Sequence, residues 1–107
     1  MTVDDFRRLA LALPEATEAA HMGHPDFRVR NEIFATLWPE EERGVVMLMP
    51  EQQRVVVELK PAVFTPVPGG WGRRGSTNVI LRAADEMSLT SVLLMAWRNK
   101  APARTKK

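Results

Sequence analysis

Apolar side chains recur at Val3, Phe6, Leu9, Ala10 and Leu13, the spacing of one helix face. Thr2 stands just before them, where its hydroxyl can accept from free backbone N–H groups. Asp4 and Asp5 suit the positive end of the helix dipole. Pro14 closes the segment, and Arg7 and Arg8, off the apolar stripe, are expected in solvent. Residues 15–25 are small and polar, end in His-Met-Gly-His-Pro, and read as a connection. From Phe27 the period becomes two. Phe27-Arg28-Val29-Arg30 alternates like a half-buried strand, Asn31-Glu32 reads as a tight turn, and residues 33–38 form a second strand. Residues 39–44 are a second turn and residues 45–49 a third strand, which together make an antiparallel meander.

Pro50 and Glu51 are suited to a first helical turn. Three successive valines, Val55 to Val57, favour a strand by propensity. Val55, Val56 and Leu59 nevertheless share a helix face, so residues 50–59 are predicted helical, ending at Lys60-Pro61. Residues 62–64 are a short apolar plug, followed by a glycine-rich loop over 66–78 and a strand over 77–82. Asp85 is placed to cap the last helix, whose buried stripe would be Leu89, Val92, Leu93, Ala96 and Trp97. Trp97 is expected to be buried, its truncation to alanine costing about 3–5 kcal/mol. Pro102 ends the helix. The order α-β-β-β-α-loop-β-α predicts an α+β fold with a mainly antiparallel sheet. It forms a single compact domain over 1–102, with a basic C-terminal tail at 103–107.

Composition changes this picture in three ways. The absence of cysteine excludes disulfides and thiolate metal sites and fits a reducing compartment. No basic start with an apolar run marks a signal peptide, and no apolar stretch reaches membrane-spanning length. A cytoplasmic location without membrane contact is therefore expected. Charge is divided unevenly: up to Leu59 there are 6 Lys/Arg against 11 Asp/Glu, and from Lys60 onward 9 against 2. Five of those nine cations, Arg98, Lys100, Arg104, Lys106 and Lys107, lie in the last ten residues, an asymmetry that suits an anionic partner.

Candidate chemistry is sparse. His21 and His24 form H-x-x-H near Asp26, but on a segment that reads as a loop, without an evident base, so no metal is expected there. Glu40 to Glu42 read as a solvated hairpin tip. No serine lies in G-x-S-x-G, and the run Gly69-Gly70-Trp71-Gly72-Arg73-Arg74-Gly75 matches neither nucleotide-loop pattern. No catalytic residue and no cofactor is expected. For Trp71, Arg73 and Arg74 two readings stand. In one, Trp71 folds back over the sheet while the arginines stay in water. In the other, the glycines let backbone approach phosphate and the arginines supply forked, charge-assisted contacts. For the ring itself the lid is the expectation, because one tryptophan without an aromatic neighbour makes a poor stacking surface.

Several segments, in order along nearly the whole chain, resemble the MmcQ/YjbR family of small bacterial proteins. They are Asp4-Asp5-Phe6-Arg7, Leu13-Pro14-Glu15-Ala16, residues 24–29 (HPDFRV), residues 33–37 (IFATL), Pro50-Glu51-Gln52, the run 69–75 and residues 96–102 (AWRNKAP). The resemblance implies a compact α/β domain related to the CyaY-like and secretion-chaperone-like folds, with a saddle-shaped sheet compared to double-wing DNA-binding modules. It implies no catalytic residues. The chain departs from the family at Asn31-Glu32, where Gly-Lys is frequent, at Ser76, where a second aromatic is common, and at Val55 to Val57, where alanines prevail. The leading expectation is non-catalytic, phosphate-directed DNA binding through Arg73, Arg74, Arg82, Arg98 and Lys100, with Gly69, Gly70, Trp71, Gly72 and Gly75 forming the loop. The alternatives are a protein-interaction adaptor using the exposed sheet face and Met22, Met47 or Met49, and a small-anion binder at the same loop.

Overall fold

The Thr2 hydroxyl accepts from Asp5 N–H while the Asp5 carboxylate accepts from Thr2 N–H, and this reciprocal box opens the first helix, α1 (Val3–Leu11). The computed structural model describes residues 1–101. The chain continues through β1 (Ala16–His21), β2 (His24–Val29), β3 (Glu32–Trp38), a 3₁₀ turn (Pro39–Glu41) and β4 (Arg43–Met47). It then forms α2 (Pro50–Leu59), β5 (Phe64–Pro66), a single helical turn α3 (Gly70–Arg73) and β6 (Ser76–Ile80). A second 3₁₀ turn (Leu81–Ala83) leads into α4 (Glu86–Lys100). The strands form one antiparallel sheet in the order β1-β2-β3-β4-β6-β5.

The α+β class and the order of the main elements are those the pattern predicts, and residues 50–59 are helical despite their valines. Local readings need correction. Residues 15–25 are not a connection: they hold β1 and the start of β2, joined by a two-residue turn with positive φ at Met22 and Gly23. The next turn lies at Arg30-Asn31, both left-handed, one residue earlier than expected. The third meander strand of the sequence reading is β4, and it starts at Arg43, two residues early. The apolar plug at 62–64 leads into β5, and the glycine-rich stretch contains α3. Arg82 lies in a 3₁₀ turn, not in a strand.

Cross-strand partners share a sheet face. The row Leu37–Gly44–Val79–Phe64 and the row Ala35–Val46–Thr77–Pro66 therefore face one way, toward the helices. There α4 lies across β3 and β4, α1 packs beside it on β1 and β3, and α2 covers β5 and β6. Phe6, Phe27, Leu37, Val46, Val79, Leu89, Val92 and Leu93 form the core between these layers. Trp97 departs from its expected burial. It packs against this core only in part, because its indole N–H reaches out to the Pro14 carbonyl at 2.9 Å. The basic tail at 103–107, with Pro102, lies outside the described residues.

Candidate functional site

Among the described residues no helix longer than the single turn α3 stands on the other sheet face. On it stand Thr36 and Trp38 from β3, Arg43, Val45 and Met47 from β4, and Ser76 and Asn78 from β6. These residues floor an open groove of about 980 Å³. Asn31 to Ile33, in the β2–β3 hairpin, Val67, Pro68 and Trp71 wall it, and Lys100 reaches it from the end of α4. Lys100 arrives there because Asn99 ties the end of α4 to Met47 O at 3.1 Å and to the Gln52 amide oxygen at 2.8 Å.

The Trp71 wall is a fixed structure. The Gln53 side-chain amide donates to Gly72 O and to Ser76 O, both at 3.0 Å, fastening α3 to α2 and β6. Val67 N–H donates to Ser76 O, and Arg74 N–H to Gly70 O and Trp71 O. Two glycines make this packing possible. A β-carbon on Gly72 would overlap the Val67 carbonyl. One on Gly75, whose φ is +114°, would meet the Leu48 carbonyl.

On this mount Trp71 is 64% exposed, so it is not a core lid. The turn that was expected to fold the ring inward is itself helical, and its buried side is the Gly72 backbone. The Arg74 guanidinium lies over the ring at 5.4 Å from its centroid. Trp38, at the far end of the groove, is more engaged. The His24 ring, from β2, lies 3.7 Å from it, and the Arg43 guanidinium, from β4, lies over it at 4.9 Å. Its indole N–H donates to Thr36 Oγ1. Arg43 also donates to Asn78 Oδ1 at 2.7 Å and pairs with Glu41 at 2.8 Å. His24 Nε2 lies 3.1 Å from Glu40, whose carboxyl is held below its ordinary value by its own backbone N–H and by His24.

The predicted cations divide. Arg73 and Arg74 stand exposed on the α3 turn and Lys100 on the groove, so three of the five gather around one face. Arg82 lies at the opposite end of β6, and Arg98 on the exposed side of α4. Among the described residues Arg7, Arg8, Arg28, Arg30, Arg43 and Lys60 each pair with a carboxylate, whereas Arg73, Arg74 and Lys100 do not. Of the candidate methionines only Met47 lines the groove; Met22 and Met49 are exposed elsewhere. The backbone of His21 lies in β1, and its side chain is outside the described structure. Among the described residues no three His, Asp or Glu side chains gather as metal ligands, and no helix is long and apolar enough to cross a membrane. Sequence reading missed Trp38, Arg43, Val45 and Asn78 as groove residues. Alternation along β3 and β4 marks their outward face, but the β4–β6 adjacency that unites them is a long-range pairing.

The YjbR family model matches residues 11–99. The crystal structure of the Deinococcus radiodurans protein DR2400, with a DUF419 domain, aligns with a TM-score of 0.76 at 20% identity. The alignment covers 99% of this chain and 80% of that one, a likeness of fold. None of the curated proteins matches the chain.

Proposed function

The chain belongs to the YjbR family, and from that premise we propose that it is a non-catalytic DNA-binding protein whose open sheet face takes single-stranded DNA. Trp71 carries this reading: a solvent-exposed indole on a rigid turn, with unpaired arginines beside it, above an uncovered antiparallel sheet. Bases stack on exposed aromatic rings whatever their identity, and a rim of free cations tracks the backbone. Arg73, Arg74 and Lys100 are the phosphate contacts, and Val45 and Met47 offer an apolar floor to bases. Arg82 and Arg98 stand apart from this surface and are left out of it. Among the described residues no helix longer than the α3 turn stands at this face to present base-reading side chains to a duplex groove, so single strands suit the site better than duplex. Kinship with the double-wing and CyaY-like folds and a cytoplasmic location are parts of the same proposal.

The test is a titration of labelled single-stranded and duplex oligonucleotides at two salt concentrations. The expected result is preferential single-strand binding that weakens with salt. Each phosphate contact contributes about 0.7 to the slope of log K against log salt for single strands, so Arg73→Ala/Arg74→Ala should shrink that slope by roughly 1.4. No binding at low salt would overturn the proposal. The apolar floor, with Met47 on it, would then favour a protein partner for the same groove.

A further inference from the structure

The sheet has two edges, and they are unlike. β5 has three residues, ends in Pro66, which has no N–H to offer, and packs against α2. β1 has six residues with no proline and no Lys or Arg. Its pairing with β2 runs without a bulge from Ala16–Val29 to His21–His24, and Thr17 to Ala20 are exposed. Glu18 is the one charge on this edge, and with no bulge, proline or lysine beside it the strand is a template for another.

We propose that β1 pairs with β1 of a second copy of this chain, antiparallel about a two-fold axis through Ala19 and perpendicular to the sheet. The hydrogen-bond pattern fixes which groups are free. His21 and His24 flank a two-residue turn and form a mutually bonded pair, and bonded and non-bonded pairs then alternate along the hairpin. Thr17 and Ala19 therefore bond to β2, while the N–H and C=O of Glu18 and Ala20 point outward. Directly opposed residues must share a face, so a symmetric register is centred on a residue, and those that pair the most of β1 are centred on Glu18 or on Ala19. The first sets two Glu18 carboxylates against each other, which is unfavourable. The second sets Glu18 of each copy opposite Ala20 of the other, and those two residues exchange both their bonds, twice by symmetry. Glu18 is already held on the helix side by Arg7, whose Nε lies 3.1 and 3.3 Å from its two oxygens, and has room beside an alanine. The assembly keeps the helices of both copies on one side and both grooves on the other. A contact this narrow makes a weak dimer.

Sedimentation equilibrium over rising protein concentration tests this on three proteins: wild type, Ala20→Pro and Ala20→Lys. Ala20→Pro removes an outward donor and leaves the β2 ladder intact, because Ala20 faces Pro25 in a non-bonded pair. Wild type should associate at high concentration and Ala20→Pro should stay monomeric. Ala20→Lys sets an ammonium opposite Glu18 of the other copy only in the Ala19-centred register, so it should raise the association constant severalfold. Monomeric wild type at millimolar concentration would overturn the proposal, as would Ala20→Pro associating like wild type. Ala20→Lys without a gain would overturn the register.

Discussion

At Gly72 one added carbon would collide with the Val67 carbonyl, and the clash falls on backbone that cannot swing away. Gly72→Ala should destabilise the protein by about 1–3 kcal/mol or more in chemical denaturation, and it should displace the Trp71 wall with it. Trp71 itself behaves in the opposite way. Being mostly in solvent, its loss should leave the melting temperature nearly unchanged while weakening single-strand binding by about 1–3 kcal/mol. A large drop in stability with unchanged binding would mean that the ring braces the turn and does not meet ligand. The run from Gly69 to Gly75 was recognisable in the sequence as a built element, yet the direction of its ring was not. That direction depends on Gln53 bonding the turn from another helix, a contact with no trace in the local pattern.

Among the elements, those with strong periodicity were legible and those without were not. α1 and α4 announce themselves through apolar stripes and caps. β1 is Ala-Thr-Glu-Ala-Ala-His, whose alanines and glutamate have little strand propensity, and only its pairing with β2 makes it a strand. β5 is three residues long and carries too little alternation to be recognised, whereas β2 was read as a strand from Phe27 onward and only its start, entering through Pro25, was missed. The cap of α4 gives a pH test. The Asp85 carboxyl is brought down from an ordinary 3.8 to about 2, chiefly by the Ser88 N–H, then by the Ser88 side chain and Lys60. A depressed carboxyl pKa adds stability above its unfolded value, and that stability is lost as pH falls through the folded value. Asp85→Ala should therefore melt below wild type at pH 7, with the gap closing between about pH 4 and pH 2 in paired thermal scans. The far end of α4 is less buried than its stripe suggested. Trp97→Phe should cost about 0.5–1.5 kcal/mol in chemical denaturation by losing the bond to Pro14 O.

For the whole molecule, the separation of charge along the sequence does not become a separation of faces among the described residues. Most first-half arginines are consumed in ion pairs, Lys60 pairs with Asp85, and the other described second-half cations spread over the α3 turn, the groove, the 3₁₀ turn and α4. Among the described residues, only those at the groove have both freedom and aromatic company. Counting charges could indicate an anionic partner, but it could not select three of five residues, because that choice depends on which strands are neighbours. The β4–β6 pairing brings the end of the meander beside the glycine-rich run and so creates the groove floor. Binding should accordingly be insensitive to Arg82→Ala and Arg98→Ala in the same titration, apart from a small uniform loss from reduced net charge.

The three tryptophans occupy three different surroundings, and the chain has no tyrosine. Ultraviolet-excited emission therefore comes from indole alone, without transfer from a phenol. Trp97 sits half inside the protein, Trp38 lies against an imidazole, and Trp71 faces water, so the longest-wavelength component belongs to Trp71. A base laid on that ring would quench this component and spare Trp97, which lies off the groove. The difference spectrum between wild type and Trp71→Ala then isolates the light of that one ring, and occupancy can be followed with no dye attached to either molecule.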